Sequence, residues 1–174
     1  MNHRSNRNKF NELILYNNIL SLSRNKLFYT KFTLADTFQN RINLIFFHIS
    51  FIFIKFNKNK KKNDYRIFHQ KLFDTVFNQI ELNMRELGYG DVSVNKNMKF
   101  LVKTFYSILF FCENYNIERK KYNRTFFNQC LKCNINKKMA NYDNLTDYFH
   151  DFKTFCFDLS SDSVLKGEFK FKFN

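Results

Sequence analysis

Two cysteines, Cys130 and Cys133, form a C-x-x-C motif, the spacing found in zinc sites and in thiol redox enzymes. A zinc site needs two further ligands at a defined spacing. The chain has neither a second C-x-x-C nor an H-x-x-x-H motif to supply them. On a helix, a spacing of three only places both thiols on one face. A structural role is therefore favoured, and a small thiol or zinc enzyme remains a third hypothesis.

Other catalytic motifs are missing from the chain. It contains no phosphate-binding loop, no dinucleotide fingerprint, no H-E-x-x-H and no G-x-S-x-G. His48 lies inside an apolar run, where a hydrogen-bonded structural histidine is the usual finding. His69 and His150 have carboxylates nearby in sequence but no nucleophile. We therefore predict a protein that is not an enzyme, with no catalytic residue, metal ion, cofactor or small-molecule substrate.

The composition combines a packed core with a strongly basic surface. Of 174 residues, 20% are aromatic and 25 are Phe, which excludes disorder for most of the chain. The formal net charge is +14, which indicates an acidic partner such as nucleic acid, a ribosome or an anionic membrane. The absence of a signal-peptide pattern predicts a reducing compartment.

The basic residues concentrate in two blocks, one at positions 55–66 and one at positions 119–140. The second block has seven basic residues and no acid. One interpretation is two solvated faces; the other is docking to ribosomal RNA or to lipid head groups. The predicted basic docking surface consists of Lys58, Lys60, Lys61, Lys62, Arg119, Lys120, Lys121 and Arg124.

Helical spacing of apolar residues dominates the chain. Residues 68–87 show one apolar helical face and end at Gly88, the residue type expected after a helix. Residues 98–112 form a second such segment, with Ser93 or Asn95 as the expected N-cap. Residues 10–20 suggest a first helix, and residues 118–134 and 141–158 indicate two more.

The segment at positions 38–56 fits either a strand or a buried helix, and its length favours the helix. Thr33, Asp36 and Thr37 offer capping groups before it. Its most apolar part, residues 44–54, is shorter than the roughly 20 residues needed to span a bilayer. Residues 168–173 alternate with a period of two, which predicts an extended tail. We predict an all-α single helical bundle of about seven helices with a short extended C-terminal tail. A basic N-terminal arm at 1–9 would precede the domain at 10–174.

Two segments resemble the ubiquinol–cytochrome c chaperone family. The first covers residues 34–48, and the second runs from Leu72 to Tyr106, with residues 84–91 as its most specific part. The end of the chain, residues 165–169, resembles the tail of bacterial members. The family usually has Gly where Asn40 stands and an acid where Asn43 stands. The resemblance extends from about residue 10 to the C-terminus.

The resemblance implies a non-enzymatic helical chaperone for assembly of respiratory complex III. It would bind newly made cytochrome b, or a complex III assembly intermediate, at the ribosome or at an anionic membrane surface. We expect it in the bacterial cytoplasm, peripheral at the inner membrane, or alternatively on the matrix side of the mitochondrial inner membrane. The candidate partner-binding residues are Asp36, Arg41, His48, Arg85, Gly88, Gly90, Asp91, Lys96, Phe105 and Tyr106.

A second hypothesis comes from the charge alone. A basic helical module could bind RNA or the ribosome without holding a client protein. Its affinity would fall steeply with salt, because released counterions drive such binding. Binding to cytochrome b with little salt dependence would count against it.

Overall fold

The computed structural model describes residues 3–57, 63–134, 142–166 and 169–173. These residues form an all-α bundle, as predicted, and outside its helices one isolated β-bridge joins Leu34 to Cys133. The helices are α1 (His3–Ser23), α2 (Leu27–Thr30), α3 (Phe38–Asn57), α4 (Asn63–Glu86), α5 (Asp91–Glu113), α6 (Lys120–Cys130), α7 (Tyr142–Asp158) and α8 (Ser161–Leu165). Helix α1 takes in residues 3–9 of the predicted N-terminal arm.

Helix α3 occupies the centre of the bundle and packs against α1, α4, α5 and α7. Every residue from 44 to 54 is buried, so the ambiguous segment is the buried helix that its length favoured. Its polar side chains are satisfied internally, since Ser50 Oγ donates to the carbonyl of Phe46 at 2.7 Å. No described helix combines the length and the apolar composition needed to cross a membrane.

Phenylalanine fills most of the space around α3. Phe47 packs against Phe111 and Phe127, and Phe111 stacks on Phe126 with ring centroids 4.0 Å apart. Phe46 and Phe105 meet edge to face at 5.4 Å. Such offset and edge-to-face pairs add to the free energy gained by burial. The high Phe content of the sequence therefore builds the core.

The α4–α5 turn is short because α4 ends in a Schellman motif. Gly88 has φ +86°, and its N–H donates to the carbonyl of Arg85. The N–H of Tyr89 donates back to the carbonyl of Met84. Gly88 thus ends the helix as predicted.

The predicted N-cap of α5 was wrong. The helix begins at Asp91 rather than after Ser93 or Asn95, and extended Gly90 occupies the N-cap position without a side-chain bond. The Val94 N–H donates to the Gly90 carbonyl at 2.9 Å, and the Val94 side chain is fully buried. With Val94 buried, the helix begins three residues earlier than a cap at Ser93 would give and five earlier than a cap at Asn95 would give.

The predicted helix at 118–134 was too long. Helix α6 ends at Cys130, and the chain then runs extended beside residues 33–35, where the Ala35 N–H donates to the Lys132 carbonyl. Buried Asn40 ties the two segments together, because its amide donates to the carbonyls of Ala35 and Lys132. Its carbonyl oxygen accepts from the Lys132 N–H at 2.9 Å.

The C-terminal tail is extended where the structure describes it, and it lies across α7. Phe169 is buried against Phe152 and Phe155, whereas Lys170 is exposed. Phe173 packs on Phe32 and on Tyr148 of α7. The two-residue alternation therefore sends aromatic rings to the bundle and lysines to solvent.

Candidate functional site

Exposed apolar side chains concentrate on one part of the molecule. Of ten large exposed hydrophobic residues in the described ranges, seven lie between positions 82 and 110. Four of them surround the α4–α5 turn, and we call this group the corner surface: Leu82, Leu87, Tyr89 and Val92. Clustered exposed apolar groups typically mark an interaction site.

Arg85 holds this corner together. Its guanidinium donates to Asp91 Oδ1 at 2.5 Å and to Glu81 Oε1 at 2.9 Å, so it links the end of α4 to the start of α5. Bonding to Asp91, and then to Glu81, raises the pKa of Arg85. Gly88 and Gly90 lie between these residues, and neither would meet another atom within 4 Å if it carried a Cβ. The structure thus brings four predicted site residues into one small surface.

Beyond this corner, one side of helix α5 is exposed to solvent along most of its length. Lys96, Lys99, Phe100, Lys103 and Phe110 all face solvent, and Phe110 is 64% exposed. We call this set, together with Tyr106, the α5 outer face. Tyr106 is 57% exposed, and its ring contacts the ring of Phe73 of α4.

Phe105 lies on the opposite side of α5 from this face. It is 1% exposed and contacts Phe46, Phe53 and Phe77 in the core. Of the predicted site residues beyond the first turn of α5, Lys96 and Tyr106 therefore face solvent and Phe105 lies in the core.

Asp36 and Arg41 form a second pair at the start of α3. The Arg41 guanidinium donates two hydrogen bonds to the Asp36 carboxylate, at 2.7 and 2.8 Å. The bond to Arg41 lowers the pKa of Asp36. Capping of α3 falls instead to Thr37, whose Oγ1 accepts from the Asn40 N–H. Both members of the pair remain about half exposed and available to a partner.

His48 lies in the core with no exposed area. Its Nδ1 is 2.6 Å from the Leu44 carbonyl, which can only accept, so Nδ1 carries the proton. Nε2 then accepts from the Tyr148 hydroxyl at 2.7 Å. Burial lowers the pKa of His48 to about 4, so the ring is neutral near neutral pH. This geometry positions α3 against α7.

The second basic block begins α6. Arg119, Lys120 and Lys121 are exposed and line a shallow depression of about 580 Å³ that Tyr122 and Glu118 also border. Arg124 lies farther along α6.

The Arg124 guanidinium donates two hydrogen bonds to Asp143 of α7, at 2.5 and 2.6 Å, so part of its charge is neutralised. Lys58, Lys60, Lys61 and Lys62, from the first block, lie outside the described residues.

The structure gives the two cysteines of the C-x-x-C motif different surroundings. Burial raises the pKa of Cys130 to about 12, which keeps its thiol protonated. Cys133 Sγ lies 3.5 Å from the Thr33 carbonyl, beside the β-bridge. In the described part of the chain, no three His, Cys, Asp or Glu residues gather as metal ligands would.

The apolar members of this site are not among the residues predicted from the sequence. The predicted residues include Arg85, Asp91 and Tyr106 but not Leu87, Val92 or Phe110. The helical phase of α5 contains the necessary information, since 92, 96, 99, 103 and 110 fall on one side of a 3.6-residue helix, opposite buried Leu101 and Phe105. An apolar residue out of phase with the core is therefore the informative feature.

Comparisons with known proteins agree on the same fold. The family model described as Ubiquinol-cytochrome C chaperone matches residues 30–171. The crystal structure of the Cbp3 homolog from Brucella abortus superposes with a TM-score of 0.80 at 20% identity, and the match covers 97% of this chain and 92% of that one. None of the curated proteins matches in sequence. Since the family model covers most of the chain, this protein belongs to the ubiquinol–cytochrome c chaperone family.

Proposed function

We propose that this protein is an assembly chaperone for respiratory complex III that binds newly made cytochrome b through the corner surface. The observation that carries the proposal is the cluster of exposed apolar residues beside the Arg85 network. A membrane protein awaiting assembly presents apolar segments, which need an apolar partner outside the bilayer. The corner surface offers such contacts on rigid helix ends.

The polar groups of the corner support recognition of one client over others. Arg85 already bonds two carboxylates and still has donors in reach of solvent, since its side chain is 43% exposed. Charged groups at the edge of an apolar surface fix the orientation of a partner more than they add affinity. Asp36 and Arg41 form a further polar contact area at the start of α3.

The first experiment is a reduced-minus-oxidised haem spectrum of membranes from a strain that lacks the gene. We expect selective loss of the b and c₁ signals of complex III, with other cytochromes unchanged. Normal complex III in that strain would contradict the proposal.

Site-specific photocrosslinking then tests the surface itself. A benzoylphenylalanine placed at Leu87 or Val92 should give an adduct with cytochrome b. Ile67 is the matched control, because it is also exposed, at 51%, and lies near the other end of α4. Equal adducts from position 67 would contradict the assignment of the corner.

Charged variants test whether the corner is needed for the client. Leu87→Asp with Val92→Asp should lower the cytochrome b recovered with the chaperone by about tenfold or more, as for residues at the centre of an interface. The folded state should be unaffected, because the two side chains are 62% and 85% exposed. Ile67→Asp should leave recovery unchanged.

The exposed start of α6 favours a second candidate, an RNA- or ribosome-binding module. Arg119, Lys120 and Lys121 project beside Tyr122, which gives both phosphate contacts and a ring for base stacking. Steep loss of ribosome binding with salt, together with normal complex III in the deletion strain, would favour this candidate.

A further inference from the structure

We infer that the α5 outer face docks the protein onto an anionic lipid surface. Its aromatic rings would enter the head-group region while its lysines contact lipid phosphates. Val92 lies on the same side of α5 and would face the bilayer, while Leu82, Leu87 and Tyr89 of the corner surface would lie beside the membrane.

The charge of this face is of one sign along most of the helix. Between Asp91 and Glu113, the charged residues of α5 are Lys96, Lys99 and Lys103. Their spacing of three and four places them on one side, and all three are exposed. Farther along the chain, Arg119 and Lys120 at the start of α6 are exposed as well. A surface of this charge complements an anionic bilayer.

The apolar members of the face have the arrangement of an interfacial helix. Phe100, Tyr106 and Phe110 are each more than half exposed, and they share one side of α5 with the lysines. Lysine can extend its stem along apolar groups and keep its ammonium in the polar layer. Exposed aromatic rings gain free energy at the same depth, where ring and head groups meet. The two residue types therefore act at one level of the bilayer.

Other occupants fit this face less well. A second copy of the chain would bring its own lysines against these and carries the same +14 charge. Single-stranded RNA would use the lysines and stack on the rings, but α5 between residues 91 and 113 contains no arginine, the residue that stacks on bases as well as pairing with phosphates. An anionic bilayer would contact both the lysines and the aromatic rings of this face.

Fluorescence gives a direct test, because the chain contains no tryptophan. Phe110→Trp would place one reporter on the face, and Ile67→Trp would place a matched reporter on another exposed surface. With vesicles of equimolar phosphatidylcholine and phosphatidylglycerol, emission from the reporter at position 110 should shift to the blue and be quenched by brominated lipid. Emission from the reporter at position 67 should not change. Identical responses of the two reporters, or none from either, would overturn the inference.

A charge variant tests the lysines in the same vesicles. Lys96→Gln with Lys99→Gln and Lys103→Gln should weaken binding about 100-fold, since each basic residue near such a surface contributes roughly fivefold. Arg24→Gln with Lys26→Gln and Lys31→Gln removes the same charge from another exposed region and should have a much smaller effect.

Equal losses in the two triple variants would show only a response to net charge and would overturn the inference. Vesicles of phosphatidylcholine alone should bind weakly. Preferential binding of the protein to single-stranded RNA, with no vesicle binding, would likewise overturn it. Loss of client crosslinks with intact vesicle binding would instead count only against the proposed function.

Discussion

At the level of single residues, the interior of this protein contains a histidine whose hydrogen bonds leave no position for a second ring proton. His48 uses one nitrogen to donate to Leu44 and the other to accept from Tyr148. Protonation would remove the acceptor and place a charge in the core. The residue therefore joins two helices only while it is neutral.

This geometry predicts acid sensitivity. The folded-state pKa of His48 is about 4, below the ordinary value of 6.5, so the unfolded chain binds more protons between these values. Stability should be complete above pH 6.5 and should fall by about 3 kcal/mol as the pH drops to 4. Urea unfolding of the wild type at several pH values measures this loss.

The control is a variant in which both partners are apolar, His48→Leu with Tyr148→Phe. Replacing both groups leaves no donor unpaired. The free energy of unfolding of the variant should fall much less than that of the wild type as the pH drops from 6.5 to 4. Parallel profiles would show that other groups cause the acid sensitivity.

A variant of the Asp36–Arg41 pair tests whether Arg41 is needed for the fold or for recognition of a partner. An exposed ion pair contributes about 0–1 kcal/mol, so Arg41→Asp should barely change the thermal melt. If the guanidinium contacts a partner, the same variant should reduce complex III in cells. A melt that collapses would instead show that Arg41 is needed for the fold.

Exchanging the two charges, Asp36→Arg with Arg41→Asp, provides the matched control. The exchange restores an ion pair but not the position of the guanidinium. Recovery of complex III in the exchanged variant would show that only the pair matters. Continued loss would support a direct contact made by Arg41.

At the level of elements, two asparagines stand at positions where the family resemblance predicts other residues. The Asn43 amide donates to the Cys130 carbonyl at 2.6 Å, a bond that an ionised acid could not make. Asn40 bonds both segments of the Leu34–Cys133 bridge, which a glycine could not do. Both amides fasten the end of α6 to the start of α3.

The α4–α5 turn depends on one left-handed residue. Gly88→Ala should destabilise the protein by about 1 kcal/mol, because φ +86° disfavours a Cβ. Gly90→Ala is the comparison variant: its backbone is extended and its surroundings are equally open, so only the weaker N-cap preference of Ala should lower stability there. Chemical denaturation of both variants gives the comparison, and equal losses would exclude the left-handed conformation as the cause.

At the level of the whole molecule, the tail closes the bundle by covering α7 and the segment that follows α2. Phe169→Ala should lower stability by about 3 kcal/mol, the usual cost of removing a buried ring. Lys170→Ala should change it by less than about 0.5 kcal/mol, because that side chain is exposed. Chemical denaturation of the two variants measures both losses. A loss as small for Phe169→Ala as for Lys170→Ala would show that the tail contributes little to the stability of the folded state.

At the start of α5, Val92 of the corner surface lies next to the α5 outer face. The two proposed contact surfaces are therefore neighbours on the molecule. A bilayer along α5 would place the corner at the level where a client emerges from the membrane. The exposed apolar residues of α5, from Val92 to Phe110, lie out of phase with Val94, Leu101 and Phe105, which pack in the core.

The sequence by itself determined the all-α class, most helix positions, the end of α4 at Gly88 and the alternating tail. These features depend on local periodicity and on backbone preferences of single residues, which neighbours along the chain suffice to specify. The residues of the family resemblance also lie close together in sequence, within two segments.

Only the tertiary structure decided what depends on contacts between distant residues. Burial of Val94 set the start of α5, and the pairing of Leu34 with Cys133 ended α6 early. The same packing put His48 and Phe105 inside while leaving Val92 and Phe110 outside. Which side of a helix faces solvent depends on the elements packed against the other side, and that arrangement exists only in the folded chain.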